Sequence, residues 1–428
     1  MIVKILIGML SFIDSLLFFL KKYEISKSKC DVLFIQHSNN YGYIFNGKKY
    51  AHLTYSAYFF LRTNVEKVAF LDKPFSKNNK EESYYPSINV NVLFFFEVIS
   101  NFILKKILSK EDVVEIRKSR RFNIWSNIIR LLNPKVIIGI QPESVLCFVA
   151  KKNKIKIYDL QHGVINKDHY WYGREMNETL LDDELPTGIL FWDQESANNI
   201  KYWMKNRKIE SVVVGNPWLN RFLAHDNTDV LVVDARNELN FLKKNKPVIL
   251  VTLQWGLEDK CYDNPSYNYN GVMCKALEQA IIHTAHRYNW LLRLHPVQMN
   301  GKNSDKIKIY LRNTFGQYEN VEWEKTSYSA LPALLSRIDL HITDISTVVN
   351  EATYFGIKSA LLNLFLNKGQ KYESYFKYER ECGFADIVEQ NIEQIESWVE
   401  RSLRASLEPN AEVFLVNTKD EFEKLLRD

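Results

Sequence analysis

Apolar residues in this chain come in two recurring arrangements: short unbroken runs, and longer stretches where they return every three or four residues. From Cys30 onward the runs are "DVLFIQH", "KVAFLD" (67–72), "KVIIGI" (135–140), "IKIYDL" (155–160), "GILFW" (188–192) and "SVVVG" (211–215). Runs of this length suit strands covered on both faces. Helical spacing fills the intervals. A long zone at about 92–132 contains "FFFEVISNFILKKIL" and "NIWSNIIRLL", and "PESVLCFVAKK" and "ESANNIKYWMKN" predict shorter helices.

Segment 222–245 opens polar and lacks a strong strand, so the interdomain boundary is placed there. A second alternating series follows. "PVILVTL" (247–253), "WLLRL" (290–294), "NVEWEK" (320–325), "DLHIT" (339–343) and "SALLNL" (359–364) read as strands. "VMCKALEQAIIHTAHRY", "SALPALLSR" and "STVVNEATYF" (346–355) read as helices, and two more close the chain at about 392–405 and 418–427. Such alternation predicts parallel sheets with right-handed crossovers, whose ligands gather at the carboxyl ends of the strands. The expected fold class is therefore α/β, with two Rossmann-like domains facing a cleft. The domains are residues 30–225 and 226–428, preceded by an apolar helix over 1–29.

That first segment, "MIVKILIGMLSFIDSLLFFLKK", is interrupted by Lys4 and Asp14. Its unbroken part is too short to cross a bilayer core of ~30 Å. Lys21, Lys22, Lys27 and Lys29 flank its end. Two readings stand: a helix lying in the membrane interface, or one packed on the first domain.

Length and composition narrow the class. A chain of 428 residues exceeds one hydrophobic core, and 46% hydrophobic with 25% charged residues is ordinary for a globular protein. A net charge of +5 suits anionic ligands or an anionic membrane surface and is too small to argue for nucleic acid. The five cysteines are scattered with no CxxC, as in a reduced, cytosolic protein. No phosphate-binding P-loop, no GxGxxG after a strand, no HExxH and no cysteine–histidine cluster occurs, so neither a metal nor a cofactor is expected.

Chemistry concentrates where strands end. "IKIYDL" stops on Gln161-His162-Gly163, which puts an imidazole of near-neutral pKa where a sheet presents its ligands. "LLRLHP" ends on Arg293 and His295, a cation and an imidazole able to bond a phosphate. "DLHIT" runs out at Thr343-Asp344, and Ser346 and Thr347 stand where a helix begins. They are good caps, and a helix start favours a diphosphate. Glu351, five residues after Ser346, is placed to accept bonds from a ribose diol.

The order "QHG", "VTLQWG", "LRLHP", "TDISTVVNEATYFGIKS", spanning roughly residues 155–365, resembles bacterial transferases of surface polysaccharides with the GT-B architecture. It is also similar to the CDP-glycerol glycerophosphotransferases of teichoic-acid synthesis. The resemblance implies a donor-phosphate contact at His295, with Ser346 and Thr347 lining the same pocket, and a base at His162; by position, Arg293, Asp344, Glu351 and Thr252 are further candidate donor contacts, and Glu143, after the preceding strand, is a reserve base. His37 is a further reserve base or acceptor contact, and His169, Tyr170, Trp171 and Tyr172 read either as an aromatic acceptor platform or as the core of a hydrophobic loop. The acidic pair plus glycine of sialyl-type relatives is absent. The residue eight before Glu351 is Thr343, where retaining enzymes of this architecture often carry a second glutamate, and this favours inversion.

The expected function is metal-independent transfer of a sugar from a nucleotide-sugar, a substrate rather than a cofactor, to a glycan or lipid-linked glycan. The setting is O-antigen or capsule synthesis, with the protein cytoplasmic and peripheral at the inner face of the membrane. Two alternatives stand beside it: a CDP-polyol phosphotransferase of teichoic-acid type, and an inactive subunit of an assembly complex.

Overall fold

The computed structural model describes residues 10, 13, 16–19, 21–23, 25–37, 40–75, 82–165, 171–172, 179–224, 226–242, 245–254, 272–405 and 417–427. The chain divides into two compact units. One comprises Met1–Asn220 with Val416–Asp428, the other Arg221–Leu415.

In the first unit the strands are β1 (Val32–Gln36), β2 (Tyr43–Phe45), β3 (Lys48–Tyr50), β4 (Val68–Asp72), β5 (Ser87–Ile88), β6 (Val136–Gly139), β7 (Lys156–Leu160), β8 (Gly188–Phe191) and β9 (Glu210–Val213). Seven of them form one sheet in the order β5-β4-β1-β6-β7-β8-β9, and every neighbouring pair is parallel. β2 and β3 form a separate antiparallel hairpin. The expected runs became these strands because β1, β6 and β8 are buried along their whole length, so no polar face was needed. The sheet order reverses between β1 and β6, the switch point where ligands bind in open α/β sheets.

The second unit holds β10 (Val248–Thr252), β11 (Asn289–Arg293), β12 (Val321–Glu322), β13 (Leu340–Thr343), β14 (Lys358–Leu361) and β15 (Ala385–Ile387). Their order is β12-β11-β10-β13-β14-β15, again parallel throughout, with the switch point between β10 and β13. Ile249, Val251, Trp290, Leu292, Leu340 and Ile342 share one core cluster on one side of the sheet.

Several expectations changed. The zone at 92–132 is two helices, Asn91–Leu104 and Lys110–Leu132, because the Ser109 hydroxyl accepts from the Asp112 amide at 3.1 Å and starts the second. "NVEWEK" keeps only a two-residue strand before turning into the helix Glu324–Tyr328. The division falls at Asn220/Arg221, ahead of the expected 226. Arg221 pairs with Asp229 through both guanidinium arms, at 2.7 and 2.6 Å, and so belongs with the helix Val230–Asn237 that Asp229 caps. The last helix, Thr418–Arg427, was expected in the second domain and lies in the first. It buries Phe422 and Leu425 there, and Thr418 accepts from Asn220.

Candidate functional site

In the first unit the carboxyl ends of β4, β1, β6 and β7 stand side by side. They deliver Lys73, His37, Gln141 and His162 to one edge. β6 stops at Gly139, which is paired with Ile35 of β1 and Asp159 of β7. Past its end the rings of His37 and His162 approach to 6.2 Å with 28° between their planes. His162 was the expected base and His37 a reserve base or acceptor contact, and the fold brings the two imidazoles together.

Beneath them lies Asp159, fully buried inside β7. Burial pushes its carboxyl up to about 7, against the pull of the Gln141 amide and of Lys73. That amide donates to Oδ1 at 2.8 Å. Gln141 adopts φ +47°, a left-handed conformation costing a non-glycine residue ~1 kcal/mol or more, as part of the turn that presents this bond. The Tyr172 hydroxyl is 3.5 Å from Asp159 Oδ1, to which it donates, and 3.3 Å from Nδ1 of His162. A chain of polar contacts thus runs from the exposed edge inward: His162, Tyr172, Asp159. Burial and Lys73 drive His37 down to about 4, so it stands neutral beside this chain. Lys73 is itself lowered by burial to about 8, with Asp159 and Glu143 opposing.

Gln161 fixes the turn that carries His162. Its Nε2 donates to the Gly163 carbonyl at 2.9 Å and to Ser196 Oγ at 3.1 Å, and its Oε1 accepts from the Trp192 amide at 2.8 Å. One buried amide therefore ties the end of β7 to the end of β8 and the helix beyond it.

Other expectations for this unit need correction. Glu143 pairs with Arg121 through Oε1 and accepts from the Trp125 indole through Oε2 at 3.1 Å. A carboxylate held from both oxygens braces the helix Lys110–Leu132, a structural task the sequence did not show. Trp171 packs against the cluster around Ile189 and Phe191, and its indole helps hold Asp159 down. It is half-buried against that core, as the loop-core reading expects. Tyr172, expected beside it, is wholly buried. His169 and Tyr170 lie outside the described residues.

In the second unit the ends of β11, β10, β13 and β14 form the corresponding edge. His295 caps the short helix that follows β11. Its Nδ1 accepts from the Val297 amide at 3.2 Å, while its own amide donates to Gln298 at 2.9 Å. Nδ1 is thereby an acceptor, so in the neutral ring Nε2 carries the hydrogen. Burial lowers the imidazole below its usual value, which keeps that neutral form at pH 7. Gln298 also reaches the Gln254 carbonyl at 3.2 Å and so joins this turn to the end of β10.

Arg293 faces inward. Its Nη1 donates to the carbonyls of Thr326 and Ser329 at 2.7 and 2.8 Å. Burial drops the guanidinium to about 10 despite the favourable charge of Glu351. Glu351 retains partial solvent access, and burial lifts it to about 7 with Arg293 opposing. The two form an electrostatic couple at the helix after β13, where sequence had assigned them separate ligand contacts.

Asp344 is buried and accepts from Asn363 Nδ2 at 2.7 Å. Ser346 Oγ accepts from the Val348 amide at 3.3 Å, while Thr347 is exposed and makes no side-chain cap to the helix Val348–Tyr354. Thr252 is turned into the sheet, its hydroxyl 2.8 Å from Nε2 of His341, whose Nδ1 is 2.9 Å from Ser359 Oγ. Burial presses His341 down to about 3.

Sequence reasoning missed Asp159, Lys73 and Gln161, and left Tyr172 between acceptor platform and loop core. The signal for Asp159 was an acid in the mostly apolar run "IKIYDL", one residue before its end. Among the described residues, no group of three or more His, Cys, Asp or Glu could hold a metal ion.

No family model and no curated protein sequence matches the chain. Solved structures do. UDP-GlcNAc 2-epimerase from Methanocaldococcus jannaschii superposes with a TM-score of 0.57 at 15% identity, covering 92% of this chain and 98% of its own. The Neisseria meningitidis UDP-GlcNAc 2-epimerase, bound to UDP-GlcNAc, gives 0.55 at 13% identity over 93% and 99%. The wall teichoic acid polymerase TagF gives 0.52 at 13% identity over 99% and 98%. The fold is GT-B. In GT-B terms His162 sits on the sheet edge of the N-terminal Rossmann-like domain, and His295, Ser346 and Glu351 on that of the C-terminal one.

Proposed function

We propose that this GT-B protein moves a sugar from a nucleotide-sugar donor to an acceptor hydroxyl during synthesis of a bacterial surface polysaccharide such as O-antigen or capsule, by inverting displacement without a resident metal. The observation that carries the reading is the seating of His162. Its Nδ1 rests on the Tyr172 hydroxyl, and that hydroxyl on buried Asp159. With Asp159 ionised, Tyr172 donates to it and accepts from Nδ1–H, which leaves the Nε2 lone pair as base. The acceptor oxygen attacks the anomeric carbon and its proton passes to Nε2. The bond to the donor phosphate breaks, and its electron pair leaves with the nucleoside mono- or diphosphate.

The C-terminal domain holds the donor in this reading. The Nε2–H of His295 donates to the phosphate, Ser346 adds a hydroxyl, and ionised Glu351 accepts the ribose diol. Such preorganised donors stabilise developing phosphate charge in place of a cation. The Neisseria epimerase bound to UDP-GlcNAc supports this donor class, since it shares the fold.

A second reading, transfer of a polyol phosphate from a CDP-linked donor, draws on one observation. TagF covers 99% of this chain, the epimerases 92–93%.

Ligand-induced thermal stabilisation separates the readings, because a ligand raises Tm only when it binds the folded state. UDP-, GDP-, dTDP- and CMP-sugars are compared with CDP-glycerol and CDP-ribitol. A shift with a nucleotide-sugar supports the first reading. One confined to the CDP-polyols establishes the second. No shift with any member defeats both and points to an assembly subunit.

A further inference from the structure

The helix Asn91–Leu104 carries two faces. Leu93, Phe94, Glu97, Ser100, Asn101 and Leu104 are buried. The opposite face exposes Val92, Phe95, Val98, Ile99, Phe102 and Ile103, between 41% and 66% open to solvent, and Ile107 continues it at 64%. Soluble surfaces rarely leave so long an apolar stripe uncovered. Glu97, the only acid in this helix, points inward, where Arg117 donates to it at 3.1 Å and Arg121 at 3.2 Å. The stripe is therefore free of negative charge until Glu111. At its end stand exposed Lys105, Lys106 and Lys110, with the Lys106 ammonium 5.0 Å from the Phe102 ring centroid.

The N-terminal segment repeats this design. Phe18 and Ile25 are buried in the cluster that also holds Leu93 and Phe94, and Leu10 packs with Leu104 and Ile116. Leu16, Phe19 and Tyr23, spaced three and four apart, are 56%, 69% and 70% exposed. The segment thus packs on the first domain, one of its two expected fates, while a second set of apolar residues stays uncovered.

We infer that the exposed face of Asn91–Leu104, together with Leu16, Phe19 and Tyr23, docks this protein on an anionic lipid surface. Phenylalanine and aliphatic side chains enter the acyl boundary, and lysines flanking them reach the phosphates. From Val92 to Ile107 the exposed positions carry no acid, so a second protein copy would gain little from the lysines gathered at their end. An anionic bilayer gains from both features. This inference stands apart from the proposed reaction and needs no donor for its test.

The full-length chain is sedimented with vesicles of phosphatidylcholine alone and of an equal mixture of phosphatidylcholine and phosphatidylglycerol. Binding to the mixed vesicles, weak binding to the neutral ones, and weakening by salt are expected. Phe95→Glu/Phe102→Glu should lower the binding constant by at least about tenfold, and Lys105→Gln/Lys106→Gln should lower it on the mixed vesicles only. All four side chains are exposed, so an unchanged Tm is expected and confirms the fold. Failure of the wild-type chain to bind mixed vesicles overturns the inference. So does undiminished binding by the phenylalanine variant, or a stable dimer that this variant splits.

Discussion

The Tyr172 hydroxyl lies 3.3 Å from His162 Nδ1 and 3.5 Å from Asp159 Oδ1, so one phenol joins an edge imidazole to a buried acid. The phenol has a single proton. With Asp159 ionised it points inward and the base at Nε2 is open. With Asp159 protonated it is free to turn toward Nδ1, which places the imidazole hydrogen on Nε2 and closes the base. Since Asp159 is lifted to about 7 by burial, turnover should rise through neutral pH. Tyr172→Phe should slow turnover about tenfold or more, with donor affinity unchanged, and flatten the profile. A Tyr172→Phe profile identical to wild type would remove the phenol from the mechanism.

Asp159 should also trade stability for activity. A carboxyl whose folded pKa is raised favours folding below its unfolded value, 3.8, and loses that contribution as pH climbs through about 7. Asp159→Asn keeps an acceptor for the Gln141 amide and avoids the buried charge. It should be more stable than wild type at pH 8 by ~1–3 kcal/mol, lose that margin by pH 4, and turn over poorly. Urea unfolding at the two pH values reads the margin. A variant less stable than wild type at pH 8 contradicts this.

The end of β7 was legible in sequence because an imidazole and a glycine close an apolar run, and the parallel pairing of the strands follows from their alternation with helices. Three things were not legible. Tyr172 reads as one aromatic among several, and only the fold sets it against Asp159. Thr252 ends its strand like a ligand contact, yet side-chain alternation turns its hydroxyl toward His341. The helix Thr418–Arg427 returns to the first unit through contacts nearly two hundred residues away, beyond the reach of local periodicity.

His341 gives the C-terminal domain an acid limit. Its folded pKa, about 3, lies below the ordinary 6.5, so the unfolded chain takes up a proton that the folded one refuses. The stability it contributes is complete above pH 6.5 and is lost progressively toward pH 3. His341→Leu leaves the hydroxyls of Thr252 and Ser359 without this partner and should cost ~1–3 kcal/mol at pH 7. Because the substitution also removes the titration, that deficit should shrink at pH 5. A deficit that stays constant with pH would mean the histidine does not titrate on unfolding.

Glu351 should make donor binding depend on pH. It is lifted to about 7 by burial, and only its ionised form accepts both ribose hydroxyls. The donor Kd should weaken as pH falls through 7. Glu351→Gln should weaken it ~10–100-fold at pH 8 and abolish the dependence, since a bond to a charged partner is worth ~1.5–3 kcal/mol. Calorimetric titration at pH 6 and 8 tests it, and equal affinities in the wild-type protein would dismiss the ribose role.

Gln161 should matter through position alone. Gln161→Leu removes the bonds to Gly163, Ser196 and Trp192 and frees the turn that bears His162. Turnover should fall at least about tenfold while donor affinity holds, because a displaced base costs rate rather than binding. Loss of donor affinity instead would place Gln161 in a different role.

Turnover by His162→Ala, at saturating concentrations of whichever nucleotide donor stabilises the wild-type chain, is the most direct measurement. A fall of ~10²–10⁴-fold with the donor-induced Tm shift intact is the expected result for removal of a general base. Turnover within a few-fold of wild type would show that the acceptor proton goes elsewhere.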